Sequence, residues 1–307
     1  RGLVGSEMCI RDRLFIMNLY LSYLFIFFWS SAFISGQFIV QSASPFAALC
    51  FRFCIVSAFF LIFSIIFRER IRINRNLIFQ AMITGILFHG FYLGGVFFSY
   101  SMGLTATLSA LIVCLQPILT NILSGPILKE KVTVTQWIGI FFGFLGTILV
   151  IGYDIGTEIP TIGVIASIVA LLGATSATIW QKKFTHEISL SVNNFYQALS
   201  AGIFLFIISL FFEISFINFD TRFILSISWQ IIMVSFGAYA ILMYLIKNGT
   251  ASKTSSLFFL VPPTTAVMAW FVLGEKLLLI DIIGLLICTF GVYIATRTNV
   301  SKNVHNS

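Results

Sequence analysis

The sequence predicts an all-α membrane protein of ten transmembrane helices arranged as two inverted five-helix repeats, and three observations carry that prediction. First, 59% of the 307 residues are hydrophobic and only 9% are charged, against about 25% charged in a soluble domain; the mean hydropathy is +1.02. Second, the chain divides into apolar runs close to the roughly 20 residues a helix needs to cross a bilayer. Third, the stretch "LKEKVTVTQWIGIFFGFLGTILV" from Leu128 returns from Leu273 as "LGEKLLLIDIIGLLICTFGVYIA". Leu128, Glu130, Lys131, Ile138, Gly139 and Gly146 recur without a gap as Leu273, Glu275, Lys276, Ile283, Gly284 and Gly291, at a constant offset of 145.

Residues 1–16, "RGLVGSEMCIRDRLFI", mix charge and glycine unlike anything downstream and are expected to be a non-native leader, with Met17 as the start. The runs then follow in order. Residues 18–40 carry Trp29, 46–67 carry Arg52, and 77–99 carry His89 and Tyr92. Residues 105–127 carry Gln116 and Pro117, and 132–151 carry the first copy of the glycine-rich stretch. In the second half, 161–181 leads to 191–212 with Tyr196 and Gln197, then 229–246 with Tyr239, 254–273 with Pro262, and 278–296. The first repeat is thus 17–152 and the second 153–297, with a tail from 298 to 307. The linkers are short, and only Glu213 to Ser228 leaves room for an appreciable external loop.

Loop charges set the orientation. One set of alternate loops and the tail carries Arg68, Arg70, Arg72, Arg75, Lys129, Lys131, Lys182, Lys183, Lys247, Lys253, Arg297 and Lys302, and the other set only Arg222 and Lys276. The positive-inside rule places the rich set and both termini in the cytoplasm. The net charge of +7 therefore reads as orientation, and no nucleic-acid partner is expected. Five spans per half is an odd number, so the loop with Glu130 falls inside and its copy with Glu275 outside. The same offset carries Thr105, Ala106, Leu115, Pro117 and Thr120 onto Thr250, Ala251, Leu260, Pro262 and Thr265. Apolar sequence matches itself easily at Leu and Ile, but not at Pro, Glu-Lys and two glycines. Inverted repeats are an architecture of secondary transporters, which bind substrate near the midplane between the repeats.

Trp29 followed by small residues, "PFAALCFRF" with Arg52, "LTATLSALIVCLQPILT", and "KEK" or "GEK" ahead of a G-x6-G helix follow one another in this order. In that order and spacing the chain resembles the EamA-type repeat of the drug/metabolite transporter superfamily from about residue 18 to 297. The resemblance implies ten spans in two inverted halves, termini inside, and movement of small metabolites, amino acids or amphipathic compounds, with export as the expected direction. It also implies a peripheral scaffold or homodimer contact for the fifth and tenth spans. The chain departs from the pattern at Gln37, where a basic residue is often found, and the halves differ: Gln197 stands opposite Arg52, and Lys182 opposite Gln37.

Candidate pathway residues follow from polarity in apolar runs. A charge at the bilayer centre costs about 2.5–3.5 kcal/mol on insertion scales, so Arg52 must face the interior. There it either anchors a substrate carboxylate or phosphate, satisfies helix-end carbonyls, or snorkels to the interface. His89 is the one histidine inside a span. It is either a hydrogen-bonded core residue or a proton or substrate contact, with Tyr92 a turn later. Pro117 and Pro262 are expected mid-span, freeing the carbonyls of Val113 and Phe258, either as structural kinks or as pathway lining. Gln116, Tyr196, Gln197, Tyr239 and Trp29 complete the candidates. Gly90 with Gly94, and Gly139 with Gly143, have the spacing of close helix contact.

Absences narrow the function. All eleven Asp and Glu lie in the leader, loops or span ends, so no buried carboxylate is available of the kind many proton-coupled pumps use. There is no phosphate-binding loop for ATP, no cysteine pair or His cluster for a metal, and no cofactor motif. A non-enzymatic secondary transporter of the cell membrane, with a small-molecule substrate and lipid as partners, is the expected function. The alternatives are an intramembrane enzyme, which would need a reactive constellation that a lone His89 does not supply, and a lipid-handling or channel-like protein.

Overall fold

The computed structural model describes residues 2–104, 109, 112–129, 133–151, 160–184, 188–248, 254, 257–273 and 279–296. Glu130, Lys131, Glu275, Lys276, Thr105, Ala106, Thr250, Ala251 and the 298–307 tail lie outside them, as do the side chains of residues 1–16. The elements are α1 (Gly2–Ser42), α2 (Pro45–Ile66), α3 (Arg75–Ser101), α4 (Gln116–Leu128), α5 (Val134–Ile151), α6 (Thr161–Phe184), α7 (Leu190–Phe212), α8 (Thr221–Asn248), α9 (Val261–Leu273) and α10 (Leu279–Thr296). Among the described residues the only other regular pairing is an isolated antiparallel bridge between Ala43 and Ile217. Among the described residues, six helices are long and apolar enough to cross a membrane: Leu19–Ser42 within α1, then α2, α3, α6, α7 and α8. The remaining apolar helices are shorter.

Helix ends follow from their residues. Pro45 opens α2, where its fixed φ suits a first turn. The Asp220 side chain accepts the Phe223 N–H at 2.7 Å and so starts α8 at Thr221, eight residues before the expected run at 229. The polar Thr221, Arg222, Ser226 and Ser228 dilute the hydropathy there and hid the first two turns. The two prolines also differ from expectation. Neither kinks a continuous helix: Pro117 lies in the first turn of α4 and Pro262 in that of α9, the latter after a 3-10 turn at Leu257–Leu260. A helix restarts at each proline because its missing N–H has no use in a first turn.

Two helices loosen to π geometry, α3 at Ile86–Leu93 and α8 at Gln230–Ala238. Shifted by 145, the first segment becomes 231–238, so the repeat offset seen in the sequence reappears in the backbone.

The core lies between the halves. α1 packs on α8 and α9, α2 on α7, α3 on α6 and α7, α4 on α6, and α5 on α10. Phe59, Ile62, Phe63 and Ile66 on α2 and Ile203, Phe206, Leu210 and Phe211 on α7 stay exposed, an outward apolar face suited to acyl chains. Glycines set the closest approaches. A Cβ on Gly85 would lie 2.2 Å from the Gln197 carbonyl oxygen, and one on Gly90 2.6 Å from the Phe204 ring. On the duplicated stretch, a Cβ at Gly291 would lie 2.3 Å from the Gly143 nitrogen and 2.7 Å from the Gly139 carbonyl oxygen. The duplicated glycines thus serve close helix packing inside the chain, joining α5 to α10.

Overpacking of this kind costs about 1–3 kcal/mol. Gly291→Ala should lower the thermal midpoint of detergent-solubilised protein. Gly125→Ala, whose Cβ would meet nothing within 4 Å, should leave the midpoint unchanged or raise it, because alanine is the better helix former.

Candidate functional site

Where α1, α2, α3 and α8 converge, they line a half-open cavity of about 30 Å³, measured as the space open to water centres. One water needs roughly 10–15 Å³ on that measure, so there is room for about two, and a larger body requires the walls to part. Five of the residues picked from the sequence line it: Trp29, Arg52, His89, Tyr92 and Tyr239. Both π segments contribute, the first through His89, Tyr92 and Leu93, the second through Gln230, Val234 and Ser235. Extra residues in a helical turn re-aim side chains, and such bulges recur at functional sites.

Arg52 is 2% exposed. Its Nε and Nη2 donate to the Ser235 hydroxyl at 3.0 and 2.9 Å, joining α2 to α8, and its guanidinium carbon lies 5.2 Å from the Phe53 ring centre. Nη1 has no hydrogen-bond partner among the described residues. Moving a cation into the interior costs several kcal/mol unless it is paired and fully bonded, and one neutral hydroxyl does not meet that condition. The His89 ring packs against Phe53 at 4.4 Å and Tyr239 at 4.5 Å, and its Nδ1 is also without a partner among the described residues. The Trp29 Nε1 donates to the Tyr92 hydroxyl at 3.3 Å, and the two rings lie nearly parallel.

The other candidates stand apart from this cavity. Tyr239 reaches away from it to donate its hydroxyl to the Gln197 side-chain oxygen, and Gln197 donates in turn to Gln181 at 2.8 Å and Asn193 at 3.0 Å. Gln116 donates to Thr178 at 3.0 Å, fastening α4 to α6. The Tyr196 hydroxyl bonds the Ile71 carbonyl at 3.0 Å. The proline breaks sit behind the cavity wall: the Phe258 carbonyl accepts from the Cys114 thiol at 3.8 Å, the Val261 carbonyl accepts from Ser30, and the Phe258 ring lies 5.4 Å from that of Trp29. The carbonyl expected to be freed at Phe258 is therefore met by protein.

Sequence reasoning missed Gln230, Ser235 and Tyr100. Gln230 and Ser235 were visible as polar residues inside or bordering an apolar run. Tyr100 continues the Tyr92–Val96 stripe at helical spacing, beyond the expected end of the third run.

At the end where α1 turns into α2 and α7 into α8, a polar clasp joins the two halves. The Ser42 hydroxyl donates to Asp220 at 2.8 Å, and the Asn218 N–H donates to the Ser42 carbonyl at 2.8 Å. Ser44 both donates to and accepts from the Phe216 backbone. The α2 N-terminus has no cap of its own. Glu213, from the other half, accepts the Phe46 and Ala47 N–H groups at 3.1 and 2.7 Å, meeting orphan donors at the positive end of the helix dipole.

The sequence profile described as the EamA-like transporter family matches residues 17–152 and again 161–297. A Bacillus subtilis (strain 168) protein carrying the name uncharacterized transporter YyaM is 28% identical over 293 residues, covering 91% of this chain and 94% of its own. An uncharacterized transporter of Archaeoglobus fulgidus is 27% identical, covering 89% of this chain and 96% of its own. A solved crystal structure superposes with a TM-score of 0.77 at 16% identity, over 91% of this chain and 96% of that one, a likeness of fold alone. The family and these relatives point to a transporter rather than an enzyme.

The clasp carboxylates should titrate in opposite senses. Burial raises the Glu213 carboxyl above its ordinary value, outweighing the Phe46 and Ala47 N–H donors, so the fold favours its neutral form. The thermal stability of the wild type relative to Glu213→Gln should rise as pH falls through that raised value into the ordinary carboxylate range. The Phe223 N–H and then the Ser42 hydroxyl hold Asp220 below its ordinary value. The advantage of the wild type over Asp220→Asn should be present above the ordinary range and vanish as pH falls through the lowered value. Melting curves of the three proteins across pH read both.

Proposed function

We infer that this chain, which belongs to the EamA-like transporter family, is a secondary transporter moving a small metabolite, amino acid or amphipathic compound across the cell membrane, in the export direction. The observation that carries the reading is the cavity around the incompletely paired Arg52, walled by α1, α2 and α3 of the first matched segment and α8 of the second. An intramembrane ionisable residue with an unsatisfied donor marks a substrate pathway by default, and the seam between repeats is where secondary transporters bind.

In this reading the chain crosses the membrane ten times as two inverted halves with both termini in the cytoplasm, and the repeat offset and loop charges support it. The Ser42–Asp220 and Glu213 clasp then faces outward. The bonds of the Ser189 hydroxyl to Glu69 at 2.8 Å and of the Tyr196 hydroxyl to the Ile71 carbonyl at 3.0 Å, which join the second half to the first, lie toward the cytoplasm. Each set of bonds ties the halves together at one end. Breaking one while keeping the other opens the cavity to one side, which is alternating access. Solute replaces bonds the walls give up, and lipid covers the exposed apolar faces.

Proteoliposomes containing the protein should show saturable counterflow of at least one labelled solute from a broad amino-acid and metabolite panel. Arg52→Gln should reduce it about tenfold or more at unchanged insertion, since a hydrogen bond to a charged group contributes roughly 1.5–3 kcal/mol. Flux that does not saturate would instead indicate a channel.

A further inference from the structure

Four residues that line the cavity are at least nine-tenths buried and each leaves a polar atom without a partner: Arg52 Nη1, Gln230 Oε1, the Tyr100 hydroxyl and His89 Nδ1. Among the described residues the other orphaned polar atoms belong to residues outside this cavity. Their chemistry is directional. A guanidinium nitrogen only donates. The Gln230 amide is fixed by its neighbours: its Nε2 faces the Ala32 carbonyl at 2.8 Å and the Ser35 hydroxyl at 2.9 Å. A carbonyl cannot donate, so the nitrogen must face Ala32 and the oxygen must be the free atom, an acceptor. Ser235 uses one oxygen to hold both Nε and Nη2 of Arg52, which orients the guanidinium and leaves Nη1 as its open donor.

The site therefore presents one cation with an open donor, the open Gln230 acceptor, two neutral groups able to donate or accept (the Tyr100 hydroxyl and His89 Nδ1), and no Asp or Glu among the described residues of its walls. Resting on the transport reading above, we propose that the transported solute is a small organic monoanion with a separate hydrogen-bond donor: its anionic group meets Arg52 Nη1, its donor meets Gln230 Oε1, and its apolar body lies against Trp29, Phe33 and Phe97. Charge selects against the alternatives. A cation meets Arg52 in a low-dielectric enclosure with nothing to offset the repulsion. A zwitterion neutralises Arg52 but brings an ammonium that finds only neutral acceptors. A monoanion leaves the loaded cavity neutral, removing the cost of the buried guanidinium that the protein itself leaves incompletely offset.

Four compounds with one branched hydrocarbon body separate these cases: leucate (a hydroxy acid), isocaproate (the acid without the hydroxyl), leucine (the zwitterion) and isoamylamine (the cation). Binding of each to the full chain in lipid nanodiscs is read by tryptophan fluorescence, to which Trp29 contributes from the cavity wall. Leucate should bind tightest. Isocaproate should be weaker by roughly two- to tenfold, the value of one neutral hydrogen bond, and leucine and isoamylamine weaker by at least about tenfold. Arg52→Gln should weaken leucate about tenfold to a hundredfold, and Gln230→Met should equalise leucate and isocaproate while sparing the preference for anions. The wild-type ranking decides the matter if either variant fails to fold. Leucine or isoamylamine binding as tightly as leucate overturns the proposal, and so does the absence of binding by all four. In that last case counterflow of the broad panel separates the two failures: exchange of a zwitterionic, neutral or cationic solute sinks only the monoanion, whereas no exchange of any solute sinks the transport reading as well.

Discussion

A bilayer interior holds no water to bond an exposed N–H, carbonyl or charge, so each such group must find its partner inside the protein. The helices answer this for the backbone. For side chains and helix ends the answer here is given mostly across the two halves: Glu213 covers the open end of α2, Ser30 reaches the Val261 carbonyl at the second proline break, and Ser235 holds Arg52. Neither half can satisfy these groups alone, so the seam between them is both the structural core and the place where movement would exchange one set of partners for another. Four of the polar groups this arrangement leaves unmet among the described residues line one cavity.

Polar groups in that seam form sets that are separable in space. The clasp near Ala43 and Ile217 pairs the buried Ser42 and Ser44 with half-buried or exposed groups of the other half, with bonds that water can replace if the clasp opens. At the other end Ser189 and Ser191 of the second half donate to Glu69, and Tyr196 donates to the Ile71 carbonyl, again across the seam. The cavity lies beside residues of both π segments, where the helical ladder is already widened. A wall that carries an extra residue per turn can rotate its side chains with less disruption than a regular helix.

Much of this was legible from residue types. Hydropathy found the long spans because length and apolarity are all a lipid-crossing helix requires. Trp29, Arg52, His89, Tyr92 and Tyr239 stood out because polar or amphipathic side chains in apolar runs have to turn inward, and they line one cavity. Gly139, Gly143 and Gly291 were recognisable as contact points, although their contact proves to be with each other across the chain. Hydropathy measures what it costs a group to leave water and is silent on which neighbour then satisfies it. Hence Ser235 as the holder of Arg52, 183 residues away, was hidden, as was Glu213 as the cap of α2, 166 residues from Ala47. The prolines misled for a related reason. A proline inside an apolar run removes one hydrogen bond wherever it stands, and only the neighbouring backbone decides whether the helix bends or restarts, as it does at Pro117 and Pro262.

Alternate opening of the Arg52 cavity to the two sides of the membrane is read by Ala32→Cys in protein whose five native cysteines are replaced. Reconstituted in one orientation, it is treated with a membrane-impermeant maleimide from each side in turn. Labelling from both sides, with saturating solute slowing both reactions, is the predicted result. Labelling from one side only, or from neither while the protein exchanges solute, would contradict it.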